Sequence, residues 1–199
     1  MTVDPTGWFE PLYAAASRGE RDVPWDRDEP REALVEWAEA QGLDGTGRGA
    51  VVVGCGFGAD AEYLSSLGFD VSAFDVAPSA VQAAQERHPG SAVHYVAADL
   101  LEFPAPWGEA FAFVFESLTV QSLPDEVQPL AIRNVGRLVA PRGTLLMVAS
   151  GREEADGPVD GPPWPLTRAE VESFATGGVE AVRIERLPGP RWRAEFQRP

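Results

Sequence analysis

The sequence contains no lysine; all 16 of its cationic residues are arginine. Chemistry that needs an ε-amino group, such as a pyridoxal-phosphate Schiff base or the lysine of a P-loop, is thereby excluded. Cysteine and histidine are almost as scarce: Cys55, His88 and His94 are all there is. One cysteine cannot close an internal disulfide, and these three residues do not make a zinc cluster of standard spacing, so no metal centre is expected. No apolar run approaches the ~18 to 20 residues of a membrane span. Met1–Asp4 lacks the basic-then-apolar opening of a signal peptide, and a cytoplasmic protein without a membrane partner is expected. Positive charge is short overall, with 31 carboxylates giving a formal net charge of −15. A field of that sign repels a phosphate backbone, which argues against nucleic acid as a partner, and its plain effect is solubility.

What is present reads as an ordinary globular chain. Its 199 residues, 44% hydrophobic and 24% charged, suffice for one domain with a sizeable core. Hydrophobic spacing and breakers predict helices over 7–19, 31–42, 59–68, 77–88 and about 125–139. Pro30 suits the first turn of the second helix and Gly42 its end; Gly68 closes the third, and Ser79 lies near the start of the fourth. Strands are predicted at 50–53, 70–75, 92–99, 110–117 and 143–150. Two further β runs flank the turn Leu187-Pro188-Gly189-Pro190. Alternation of strand and helix means a parallel sheet covered on both faces, and the closing hairpin makes the last strand antiparallel.

The stretch "VVVGCGFGADAEYLSSLGFDVSAFD", residues 51–75, carries the chemistry. Gly54, Gly56 and Ala59 satisfy G-x-G-x-x-G/A, and Asp75 lies 21 residues beyond Gly54, as a dinucleotide site requires. Gly54, Gly56 and Gly58 equally satisfy G-x-G-x-G, a loop suited to S-adenosylmethionine (SAM). Both cofactors need close backbone approach and a carboxylate for ribose hydroxyls, so these residues alone leave both readings open. Asp60, near the start of the next helix, would sit poorly beside a pyrophosphate but would not repel a cationic sulfonium.

Over residues 30–199 the order of elements resembles the class I SAM-dependent methyltransferases. The resemblance rests on "VVVGCGFG", Asp75 at the end of the second strand, "AADLLEF" after the third and "FVFESLTVQSLP" after the fourth. It implies a Rossmann-like, doubly wound α/β sheet of seven strands, mostly parallel, with the last strand antiparallel and inserted beside its predecessor. It further implies that Gly54, Cys55, Gly56 and Gly58 line the amino-acid and ribose side of SAM. Asp75 would take the ribose hydroxyls, Val76 would face the adenine, Asp99 would accept from its amino group and Leu100 would cover the ring. Glu116 would lie beneath the methionine portion. Many family members carry an acid two residues before the first glycine; here that position is Val52.

The N-terminal "WFEPLYAAASRGERDVPWDRDEPREAL" and "DGPPWPLTRAEV" at 160–171 resemble segments of the thiopurine methyltransferase-like group, which includes halide and thiol methyltransferases. The implied division is a lid over residues 1–30 and a SAM-binding domain over 31–199. Trp8, Trp25 and Trp164 would offer flat faces to a ring or a sulfonium, and a lid would exclude water from the transfer. A small-molecule acceptor is expected: a thiol, a heterocycle, or a natural-product hydroxyl or amine. Transfer to a soft or ionised nucleophile needs no base, whereas a hydroxyl or amine usually does. Neither histidine is placed to serve, and the remaining candidates are Tyr13, Glu116, Thr119, Gln121 and Asp125. A SAM-binding protein without catalysis, or an NAD-dependent oxidoreductase, are the alternative readings.

Overall fold

A computed structural model describes residues 4–156 and 161–199. Seven strands make one sheet in the order β3-β2-β1-β4-β5-β7-β6, and the chain divides into two compact units at Glu102/Phe103.

The first unit opens with α1 (Phe9–Ser17) and α2 (Glu32–Gln41), continues through β1 (Gly49–Val53), α3 (Ala59–Ser66), β2 (Asp70–Asp75), α4 (Pro78–Arg87) and β3 (His94–Ala97), and ends in a 3-10 turn, Leu100–Glu102. β1 and β2 run parallel with Val53 opposite Phe74, and β2 and β3 run parallel with Asp75 opposite Ala97. The carboxyl ends of these strands therefore sit level. β1 is buried along almost its whole length, the pattern of a strand covered on both faces. Helix α1 packs on α4 and buries Phe9, Leu12 and Tyr13. Pro30 proves to lie outside α2: Arg31 is the N-cap, so the proline fixes the approach to the helix rather than its first turn. Gly42 at φ 58° is the left-handed cap expected.

The second unit contains β4 (Phe111–Ser117), a 3-10 turn at Val120–Ser122, α5 (Gln128–Leu138), β5 (Val139–Ser150), α6 (Arg168–Glu172), β6 (Glu180–Leu187) and β7 (Arg191–Gln197). β4 and β5 are parallel, while β7 runs antiparallel to both β5 and β6 and lies between them. The insertion of the last strand beside its predecessor is thus as the sequence implies. β7 alternates, burying Trp192, Ala194 and Phe196. Helix α6 was not anticipated, although "TRAE" is a capping box: Thr167 accepts from the Glu170 amide and Glu170 from the Thr167 amide. Met1–Val3 of the N-terminal segment and Asp160 of the 160–171 segment lie outside the described residues.

Candidate cofactor and active site

The glycine loop follows from backbone geometry. Gly54, Gly56 and Gly58 have φ of 63°, 52° and 94°, conformations that cost little only for glycine. Alternating them with Cys55 and Phe57 folds the chain back over the tip of β2, where the Cys55 amide donates to the Phe74 carbonyl at 2.8 Å. The third glycine has a second reason to be there: a Cβ at Gly58 would overlap the Tyr95 hydroxyl. That hydroxyl donates to Glu62, which also accepts from Ser91. Gly58 thus answers to helix–strand packing as well as to loop conformation.

Asp75 ends β2 with only 5% of its surface exposed. One carboxylate oxygen accepts from the Gly56 amide and the other from the Ala77 amide, each at 3.0 Å. Two oxygens offer about four acceptor sites, more than these two amides use, which leaves capacity for a donor such as a ribose hydroxyl. Burial raises its pKa from 3.8 to about 6, although the Ala77, Gly56 and Val76 amides pull it down. A buried carboxylate beside a glycine loop that can approach a ligand through its backbone is what a nucleoside cofactor requires. These residues fit SAM.

Next to the loop stands an aromatic cluster. The Tyr13 hydroxyl accepts from the Trp25 indole N–H at 2.7 Å and lies 3.2 Å from where a Gly56 Cβ would be. Trp8 stacks on Phe9 and meets Trp25 edge-on; the Tyr13 ring meets Phe57 edge-on at 5.3 Å. Burial, and then the charge of Asp75, push the Tyr13 pKa well above 10.0. At neutral pH Tyr13 keeps its proton and is a donor, not a base. The same two causes raise the Cys55 thiol.

Tyr13, Trp25, Gly56 and Asp75 are brought together. Val76 follows Asp75, part-exposed, and the Ala98 amide on the Asp75 carbonyl places Asp99 and Leu100 after the neighbouring strand tip. Asp99 also caps the turn behind it, accepting from the Leu101 amide at 2.8 Å. Val52, two residues before Gly54, is buried and apolar, so no carboxylate stands there. In the second unit Glu116 is buried and one oxygen accepts from the Thr119 and Val120 amides, which organises the turn beyond β4. Gln121 is held on both ends, accepting from the Ser150 amide and donating to the Trp164 carbonyl. Asp125 is exposed. His88 meets the Phe57 carbonyl at 3.1 Å, and exposed His94 faces Asp70.

Sequence reasoning missed the groups that tie the N-terminal segment down. Glu10 accepts from both the amide and hydroxyl of Ser79, Asp60 accepts from the Arg31 amide, and Asp26 pairs with Arg87. Each joins residues far apart in the chain, and no spacing rule reveals such partners.

Comparison with known proteins speaks to the fold and the activity. Residues 50–143 match the family described as methyltransferase domain. Thiocyanate methyltransferase 1 of Brassica oleracea is 27% identical over 169 residues, covering 83% of this chain and 73% of that protein. A 2-heptyl-1-hydroxyquinolin-4(1H)-one methyltransferase of Mycobacteroides abscessus is 24% identical over 178 residues, covering 84% and 76%. Among solved structures, the 1,6-didemethyltoxoflavin-N1-methyltransferase of Burkholderia thailandensis, bound to 1,6-didemethyltoxoflavin and S-adenosylhomocysteine, superposes with a TM-score of 0.74. It covers all of this chain and 92% of its own, at 17% identity. With a methyltransferase domain matched at 50–143 and methyltransferases among its relatives, the chain is a methyltransferase that depends on S-adenosylmethionine.

Proposed function

We propose that the methyl group goes to a small-molecule nucleophile that arrives ionised or nearly so: a thiol, an acidic hydroxyl, or the nitrogen of a heterocycle. The observation that carries this reading is Tyr13, whose hydroxyl lies 3.2 Å from the Cβ position of Gly56 and whose proton is held by burial and by the charge of Asp75. Cys55 is likewise kept as a thiol, and His88 is engaged by the loop carbonyl. A pocket so furnished positions and desolvates an acceptor better than it deprotonates one. The acceptors named for the two relatives, thiocyanate and an N-hydroxyquinolone, are of the same kind, which also favours the thiopurine methyltransferase-like grouping.

The cofactor supplies an electrophilic methyl carbon on a sulfonium; the nucleophile forms its bond in line as the carbon–sulfur bond breaks and the electron pair returns to sulfur. The protein's part is to bind and orient. Gly54, Cys55, Gly56 and Gly58 would cradle the cofactor, Asp75 would hold the ribose diol, and Val76, Asp99 and Leu100 would receive the adenine. Trp8 and Trp25 would shield the site from water, and Glu116 would stand beneath the methionine portion. The test is S-adenosylhomocysteine formation across a panel of thiols, N-hydroxy heterocycles, phenols and aliphatic alcohols, each followed against pH. Rates that track the acceptor's own ionisation support the proposal. Turnover of unactivated alcohols with a pH midpoint independent of the acceptor would overturn it.

A further inference from the structure

We propose that Arg87 is a positioning residue for the cofactor, coupling the N-terminal segment to the glycine loop through Asp26 and Phe57. The inference rests on reading that loop as the cofactor site. Arg87 ends α4. Its two terminal nitrogens donate to the two oxygens of Asp26 at 2.7 and 2.8 Å, a bidentate pair. The same guanidinium lies 3.8 Å from the centroid of the Phe57 ring. Phe57 sits between Gly56 and Gly58, so whatever fixes its side chain fixes the loop.

These contacts close into a circuit. Phe57 meets Tyr13 edge-on at 5.3 Å, Tyr13 accepts from Trp25, and Trp25 is the chain neighbour of Asp26. One stretch of the N-terminal segment therefore grips the loop twice, through Trp25 and Tyr13 on one side and through Asp26 and Arg87 on the other. Beneath it lies a cavity of about 640 Å³, lined by Arg21, Val23, Asp26, Phe57, Glu86 and Arg87 among others. Val23 and Tyr13 are buried, whereas Asp26 and Arg87 stand part-exposed at the cavity, so the ion pair is the end of the circuit that solvent reaches first. Displacement is needed, because Asp75 is 5% exposed and the Tyr13 hydroxyl stands 3.2 Å from the Cβ position of Gly56. Each entry and exit of cofactor breaks the circuit, and each productive complex remakes it.

The experiment measures S-adenosylhomocysteine affinity by calorimetry and its dissociation rate by stopped-flow tryptophan fluorescence. The proteins are the unaltered chain, Asp26→Asn, Asp26→Glu, Arg87→Gln and the double change Asp26→Asn/Arg87→Gln. The pair is a third exposed, so loss of either partner should weaken binding about threefold to fivefold, through faster dissociation. The double variant should be no weaker than Arg87→Gln alone, and Asp26→Glu should bind as the unaltered chain does. Asp26 is exposed, so Asp26→Asn reports on coupling even if Arg87→Gln loses its thermal transition. Variants that melt normally and release the ligand at the unaltered rate would overturn the coupling, as would fully additive losses. Failure of the unaltered chain to bind would instead overturn the cofactor reading beneath it.

Discussion

In the proposed cofactor site Asp75 would take the ribose hydroxyls, and its titration makes that role measurable. Its pKa in the fold, about 6, lies above the ordinary 3.8, so folding favours the protonated form. The stabilisation linked to that proton is fully present below pH ~3.8 and is lost as pH rises through ~6. Ligand binding should run the other way, because only the ionised carboxylate accepts from both ribose hydroxyls. SAM affinity, followed by calorimetry, is expected to tighten as pH rises from about 5 to about 7. Asp75→Asn should flatten that profile and weaken binding by about tenfold or more at neutral pH, the loss expected for a charged acceptor. A profile unchanged in the variant would remove Asp75 from the ribose site. The position and type of this residue are visible in the sequence, since an acid ending a second strand after a glycine loop has few other uses. Its burial and the two amides that hold it are not visible, because they depend on where the loop turns back.

Elements whose boundaries are set by local chemistry were the ones the sequence made plain: α2 ends at Gly42, α3 near Gly68, and the hairpin turns at Pro188–Pro190. Pro30 misled because a proline is as comfortable just before a helix as inside its first turn. Helix α6 escaped because five residues carry too little periodicity, although its capping box was written out in order. The resemblance implies a lid in the N-terminal segment, but not that α1 packs on α4 with Tyr13 only 2% exposed. That long-range burial has no local signature. Nor does the clamp at the other end of the chain, where Arg198 donates to the Val139, Gly136 and Gly177 carbonyls at 2.6, 3.0 and 2.7 Å. Gly136 and Val139 close α5 and Gly177 lies in the turn after α6, so one guanidinium ties the two together. Arg198→Ala should therefore lower unfolding free energy by about 2 kcal/mol or more, since charged hydrogen bonds to part-buried carbonyls are lost together. Urea denaturation checks it; a midpoint within error of the unaltered chain would mean that water replaces the guanidinium at no cost.

For the whole molecule the net charge of −15 acts on ligands before any contact forms. SAM carries one more positive charge than S-adenosylhomocysteine, because methyl transfer turns the sulfonium into a neutral thioether. A strongly acidic chain therefore favours substrate over product through its long-range field. Val52, two residues before Gly54, is apolar and buried and adds no nearby charge, which leaves more of that preference to distant carboxylates. Distant charges are the ones that salt screens, with a screening length of about 10 Å at 0.1 M and about 3 Å at 1 M. Raising ionic strength across that range should weaken SAM binding while leaving S-adenosylhomocysteine binding nearly unchanged, so the ratio of the two dissociation constants should drift toward the product. Paired calorimetric titrations at several salt concentrations measure the ratio directly. A ratio that stays constant would mean that contacts within the pocket, not the field of the acidic surface, distinguish the two ligands. The same field opposes an anionic acceptor, so a thiolate's KM should fall with added salt where a neutral heterocycle's does not.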